Sequence, residues 1–276
     1  MPELPEVETV ANGVHARIHG QTVVGVQTSN KPQTFKSPPD EIIEALTGSR
    51  IERVHRVGKT IVVDLSRKDL SRKKKPAQFL VHLGMTGRLL VSTPDTPIPP
   101  HTHAILTLSS GKELRFVDPR RFGRLSVVVA PDTKYEGPGA EPLTIPLEDF
   151  IALFRNRKTP IKAALLNQSL LHGVGNIYAD EALFHAGLRP TRHAGRLTRA
   201  ELIRLRAALI KVLTEAIQLG GSSVSDYVDA DGVAGFFQLR HHVYSRTGQP
   251  CRVCATPIKR VVIGGRSTHY CPTCQR

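Results

Sequence analysis

Tryptophan is absent from the 276 residues, methionine occurs twice, and cysteine occurs four times, never before position 251. Apolar side chains still make up 40% of the chain, enough for ordinary buried cores, and the length allows two or three domains. No apolar run approaches the ~20 residues that span a bilayer, so no membrane-crossing helix is expected. The opening Met1-Pro2-Glu3-Leu4-Pro5-Glu6 lacks the basic-then-apolar order of a signal peptide, and a cytoplasmic protein is expected. Acidic residues are in deficit, 24 against 38 basic ones, for a formal charge of +14. Such a field attracts polyanions, because each phosphate neutralised by Lys or Arg releases a condensed counterion. Plain solubility, ribosomal association or attraction to a membrane surface would give the same balance. Charge therefore favours nucleic acid without selecting it.

The first segment reads as a short helix. Pro5 suits the first helical turn, Glu6 and Glu8 meet the positive end of the helix dipole, and Val7, Val10, Ala11 and Val14 share one face that Gly20 can end. Short β-branched runs at 22–28, 61–65, 79–83, 104–108, 114–117 and 125–129 follow, separated by turn residues. They predict a sandwich or a barrel-like antiparallel domain. Two insertions, the basic run at 72–76 and the proline-rich stretch at 93–100, read as exposed loops. Residues 131–146 are too rich in Pro and Gly for an element interior and read as a linker. Beyond them the period turns helical, at 147–154, 161–166, 177–184 and 198–219. The last of these opens on a Thr198-x-x-Glu201 capping box and closes at Gly220-Gly221. A hairpin is expected around Gly264-Gly265.

Four constellations carry chemistry. Cys251-x2-Cys254-x16-Cys271-x2-Cys274 is a pair of CxxC knuckles that can hold Zn²⁺ in a closed tetrahedron; two disulfides are the alternative, which a reducing cytoplasm disfavours. Arg266 lies between the knuckles, near Lys259, Arg260 and His269, and can probe phosphate. In Gly173-Val174-Gly175-Asn176 a glycine turn leads into a helix that Asn176 can cap, offering N–H donors to a phosphate, with Lys162 on the preceding helix; a simple tight turn would look the same. Phe122 among arginines in Asp118-Pro119-Arg120-Arg121-Phe122-Gly123 is either a wedge or core, and Met85 in the glycine turn of residues 82–87 is either exposed or buried. At the N-terminus, removal of Met1 would leave Pro2 as a secondary amine with a pKa of roughly 8, partly unprotonated and nucleophilic, with Glu3 beside it as acid or base. An ordinary frayed terminus is the competing reading.

Taken together, these segments resemble the formamidopyrimidine-DNA glycosylase family of bifunctional base-excision repair enzymes. The likeness covers nearly the whole chain: MPELPEVET at 1–9, Gly58-Lys59, HLGMTG at 82–87, DPRRFG at 118–123, GVGNIYADEALF at 173–184, GQPCRVC at 248–254 and YCPTC at 270–274. The resemblance implies Pro2 as Schiff-base nucleophile, Glu3 as acid/base catalyst, Lys59 as support for the damaged strand and the chemistry, and Glu6 as a buttress. It implies that Met85, Arg120 and Phe122 fill the gap left by a flipped nucleotide, with Arg120 facing the orphaned cytosine. Lys162, Asn176 and Arg266 would hold backbone phosphates, and one of His101 and His103 would do the same. The related endonuclease VIII branch, which prefers oxidised pyrimidines, has Gly where Leu4 stands and lacks the DPRRFG wedge. The lysines at 73–75 have no counterpart, and the loop at 222–237, which in the family closes over the extruded base, differs too much for base contacts to be nominated.

The expectation is an α+β multidomain chain. An N-terminal helix and antiparallel β-sandwich span 1–130, a linker 131–149, a helical domain with a helix–two-turn–helix motif 150–238, and a zinc-finger hairpin 239–276. One structural Zn²⁺ is expected, with double-stranded damaged DNA as partner, no membrane, and a monomer in the bacterial cytoplasm. The expected function is removal of oxidised purines, 8-oxoguanine and formamidopyrimidines, through a Pro2 Schiff base, with β,δ-elimination at the abasic site. The alternatives are a pyrimidine-directed endonuclease VIII-like glycosylase and a non-catalytic zinc-ribbon protein that binds nucleic acid.

Overall fold

The computed structural model describes residues 1–66, 77–129, 134–223 and 227–276. The basic run at 72–76, residues 131–133 of the expected linker and residues 224–226 of the loop at 222–237 lie outside the described residues. The chain divides into two compact units: Met1–Glu136 with Gly220–Gly235, and Gly137–Leu219 with Phe236–Arg276.

The first unit holds helix α1 (Leu4–Ile18), β1 (Val23–Thr28), α2 (Pro39–Leu46), β2 (Arg50–Val57), β3 (Thr60–Ser66), β4 (Ala77–His82), β5 (Arg88–Ser92), β6 (Thr102–Leu108), β7 (Glu113–Val117) and β8 (Arg124–Val129). The strands form two antiparallel four-stranded sheets, β1-β6-β7-β5 and β2-β3-β4-β8, a sandwich rather than a closed barrel. Phe79 and Val81 of β4, Leu106 of β6 and Phe116 of β7 meet in its core. α1 contains Thr9, Asn12, Gly13 and three valines, all weak helix formers. What holds it is packing: Val7, Val10, Ala11, Val14 and Ile18 are buried, and each large branched side chain contributes about 1.5–3 kcal/mol.

Three elements lie outside the expected set. β2 and β5 are edge strands; β2 is broken up by Arg50, Glu52, Arg53, His55 and Arg56, and β5 is five residues long with Arg88 and Ser92 at its ends. In β2 only Ile51 and Val54 are buried, and a bulge between Ile51 and Arg53 breaks the period of two. α2 is eight residues long and starts on Pro39. Segment Gly220–Gly235 packs on α1, where Gly13 leaves room for Ala230: a Cβ on Gly13 would sit 3.1 Å from that of Ala230.

The second unit holds α3 (Leu147–Phe154), α4 (Ile161–Leu165), α5 (Asn176–His185), α6 (Arg199–Gln218), β9 (Lys259–Ile263) and β10 (Arg266–Tyr270). α5 is buried on every side from Ile177 to Phe184, as befits a helix at the centre of a unit. α6 opens on the expected capping box: Glu201 N–H donates to Thr198 Oγ1 and Thr198 N–H to Glu201 Oε2. β9 and β10 form the expected hairpin, with Gly264 and Gly265 both at positive φ in its turn.

Candidate active site and metal centre

In the first unit the N-terminus is not frayed. Pro2 is buried and Glu3 is only 4% exposed. Glu3 is the N-cap of α1, and its N–H donates to Glu6 Oε2 at 2.8 Å. Glu6 Oε1 accepts from Ser222 N–H at 2.7 Å, so one buried carboxylate ties the first helical turn to a segment 216 residues away. Gly221 makes this approach possible. Its φ is +82°, and a Cβ there would lie 2.9 Å from Glu6 Cγ. Tyr227 donates to the Glu6 carbonyl, and burial together with the Glu6 charge pushes its phenol pKa up, keeping it a neutral donor. The sequence marks Gly221 as a helix end and 222–237 as a loop, but nothing local shows that Gly221, Ser222 and Tyr227 meet residue 6.

Lys59 occupies the two-residue turn between β2 and β3, with Gly58 at φ 60°. Arg56, at the end of β2, clamps this turn to α1 through Glu8 (2.7 Å) and reaches the Gly58 carbonyl. His82 Nδ1 donates to the Lys59 carbonyl at 3.0 Å; burial lowers the His82 pKa, so the ring is a neutral donor.

The row Thr60–His82–Arg124 runs across neighbouring strands, so the Lys59 turn and residues 118–123 share one end of the sheet. Met85 is 40% and Phe122 48% exposed, which settles both open readings in favour of exposure. The Arg120 guanidinium lies 4.8 Å over the Phe122 ring. Buried Asp118 organises this loop by accepting from Thr86 Oγ1 (2.6 Å), Gly123 N–H (2.7 Å) and Arg120 N–H (3.3 Å). The Met85 turn and the Phe122 turn are pressed together: at Gly84, φ +66°, a Cβ would sit 2.5 Å from Gly123 N. The two histidines differ. His103 is buried, with Nδ1 at 3.0 Å from Ser29 Oγ and Nε2 at 3.0 Å from the Asp118 carbonyl; His101 is exposed at the same rim.

In the second unit, three expectations meet different fates. Arg266 is exposed on β10. Asn176 is the first residue of α5 rather than its cap; Gly175 is the N-cap, and Asn176 Oδ1 is buried without a hydrogen-bond partner. The glycine turn before it is braced by Gln168, whose Oε1 accepts from Gly173 N–H and whose Nε2 donates to the Val174 carbonyl. Lys162, expected on a phosphate, is 0% exposed. Its Nζ pairs with Asp180 at 2.6 Å and donates to the Ser267 carbonyl at 2.9 Å. Asp180 Oδ2 also accepts the N–H of His269 at 2.8 Å. In this geometry the ammonium is spent inside the unit, locking α4 and α5 to the hairpin.

The four cysteine sulfurs lie within 4.8 Å of one another and none is in a disulfide. The pairs Cys251–Cys274 and Cys254–Cys271 are 3.9 and 3.4 Å apart, against about 3.8 Å for two Zn–S bonds at a tetrahedral angle. Backbone N–H groups of Val253 and Cys274 point at Cys251 and Cys271 Sγ, as suits thiolates. The residues fit a structural zinc.

Sequence profiles agree with this division of labour. The formamidopyrimidine-DNA glycosylase N-terminal domain matches residues 1–125, that family's H2TH domain 137–228, and the zinc finger found in FPG and IleRS 248–276. The formamidopyrimidine-DNA glycosylase of Solibacter usitatus is 44% identical over 276 residues, covering all of both chains. The chain belongs to the formamidopyrimidine-DNA glycosylase family. Among solved structures, MutM (FPG) of Thermus thermophilus matches at TM-score 0.84 and 42% identity, covering 99% of this chain and 98% of that one. Lactococcus lactis Fpg in complex with abasic-site DNA matches at TM-score 0.88 and 31% identity over 99% of both chains; the same protein is also solved with an oxidised-pyrimidine DNA. The enzyme is thus a base-excision repair glycosylase with abasic-site lyase activity, a DNA-binding protein with one structural zinc. No helix among the described residues is long and apolar enough to cross a membrane.

Proposed function

We propose that the enzyme removes oxidised purines, 8-oxoguanine and formamidopyrimidines, with Pro2 as nucleophile and Glu3 as its acid/base partner. The observation that carries this is the Glu6 clamp. A terminus meant to fray would not have Glu3 buried and its N–H held by Glu6, itself held by Ser222. With Met1 attached, the Pro2 nitrogen is an amide; removal of Met1 makes it a secondary amine. At the positive end of α1 that amine is disfavoured in its protonated form, which increases the free nucleophile at neutral pH.

The amine attacks C1′ and gives up its proton as the base leaves with one; Glu3 then protonates O4′, the C1′–O4′ bond breaks, and the nitrogen lone pair closes the C1′=N iminium. The iminium that results acidifies the C2′ proton, whose loss expels the 3′ phosphate; a second elimination expels the 5′ phosphate. Lys59, on its clamped turn, supports the strand during these steps. Met85, Arg120 and Phe122 form the wedge, and inserting them offsets part of the few kcal/mol of unstacking that base flipping costs. His101 is the phosphate-contacting histidine, because both ring nitrogens of His103 already have partners. Asn176 and Arg266 hold phosphates in the second unit, while Lys162 serves as a brace. The enzyme acts as a monomer in the cytoplasm, where the four thiols stay reduced for zinc.

A pyrimidine-directed activity is the second reading, and the Lactococcus lactis complex with an oxidised pyrimidine gives it weight. Excision from matched duplexes carrying 8-oxoguanine or thymine glycol tests the proposal. Faster release of 8-oxoguanine supports it, and faster release of thymine glycol contradicts it.

A further inference from the structure

We infer that the second unit carries a second metal site, formed by Glu181, His185 and His242, which takes one divalent transition ion of the Zn²⁺, Co²⁺ or Ni²⁺ class. Glu181 and His185 stand one turn apart on the same face of α5, and His242 approaches from the segment after the short turn Phe237–Arg240. One donor atom from each lies within 4.8 Å of the other two.

The spacing of the central pair suits a shared ion. His242 Nδ1 is 3.6 Å from Glu181 Oε2, too far for a hydrogen bond, and this buried nitrogen has no hydrogen-bond partner. Two metal–ligand bonds of about 2.0–2.2 Å meeting at about 115–120° subtend that distance. The two rings are also placed for it. Phe184 stacks on His242 at 5.1 Å, and the His185 ring meets His242 edge-on at 4.6 Å.

The Glu181 carboxylate has its aim fixed by the backbone N–H groups of His242, Val243 and Tyr244, which donate to it at 2.9, 3.0 and 2.8 Å. Two imidazoles with one carboxylate favour borderline transition ions over Mg²⁺ or Ca²⁺. His185 is exposed, so the site keeps an open position, unlike the closed four-cysteine centre. Phe184 and Val243 belong to the apolar cluster that also holds Cys251, Cys271 and Ile258. An ion here fastens α5 to the segment that enters the first cysteine knuckle.

The test uses the full chain with its four-cysteine centre loaded with one zinc. Co²⁺ is titrated at neutral pH and followed by its visible d–d bands and by calorimetry. The expected result is one further Co²⁺ per chain, with no thiolate-to-cobalt charge-transfer band, displaced by added Zn²⁺. His185→Ala, at an exposed helix end, should keep its zinc and bind cobalt at least about tenfold more weakly; His242→Gln should do the same. Thiolate bands, meaning that cobalt only exchanges into the cysteine centre, would overturn the inference. Equal affinity in folded, zinc-loaded His185→Ala would overturn it too.

Discussion

Asp118→Ala removes the group that shapes the proposed wedge without touching any of its side chains. Its carboxylate is fully buried and accepts two short hydrogen bonds, from Thr86 Oγ1 and Gly123 N–H, and a longer one from Arg120 N–H. The Thr86 hydroxyl can rotate to another acceptor, but the Gly123 N–H cannot. An orphaned buried donor costs about 1–3 kcal/mol, so the Gly123 and Arg120 N–H groups together imply a loss of about 2–6 kcal/mol. That is a large share of a typical stability of about 5–15 kcal/mol. The loop is the cheaper thing to lose: it should open and release Arg120 and Phe122 from their common geometry. Urea unfolding should show destabilisation at the lower end of this range. Excision opposite cytosine and opposite adenine should become nearly equal, because Arg120 is no longer held to face the orphaned base. Asp118→Asn, which keeps one acceptor oxygen, should recover roughly half the stability. A loss below about 1 kcal/mol with opposite-base discrimination intact would refute the reasoning.

Cys251→Ser or Cys274→Ser should lose the zinc by elemental analysis, melt the terminal hairpin and weaken DNA binding, because metal binding and local folding are one equilibrium. Lys162→Met leaves Asp180 as a buried charge without its cation, which costs about 3–5 kcal/mol, while the salt dependence of DNA affinity should keep its slope. A slope reduced by about 0.9 would instead make Lys162 a phosphate contact. Glu201, held by Arg192, has its pKa lowered from 4.5 to about 2. A depressed carboxylate stabilises the fold above its unfolded pKa and loses that contribution as pH falls through its folded pKa. The melting-temperature gap between wild type and Glu201→Gln should therefore be constant above pH about 5 and close toward pH about 2.

The parts of the fold that show in the sequence are those whose signal is local. α6 announces itself by Thr198 and Glu201, the interior strands β3, β4, β6 and β7 by β-branched runs, and the metal centre by two CxxC knuckles. Edge strand β2 hides behind its charges and its bulge. At the site, the chemical residue types and the Glu6 buttress could be named from the chain alone, but the long-range partners that fix them could not. Glu6 finds Ser222 across 216 positions and Asp118 finds Thr86 across 32, and no local pattern in the chain shows either pairing. The Lys162 pairing is hidden for the same reason. A lysine before a glycine turn suggests phosphate, and only the fold reveals that Asp180, buried on the next helix, neutralises it.

The central claim is that the N-terminal amine does the chemistry. Its most direct test is borohydride reduction during turnover of a duplex with 8-oxoguanine opposite cytosine, followed by mass mapping of the cross-linked peptide. With Met1 removed, the DNA remnant should sit on the Pro2 nitrogen, and a chain carrying an uncleaved N-terminal extension should bind damaged DNA but give no cross-link. A remnant mapped to Lys59, with efficient cross-linking by the extended chain, would contradict the account.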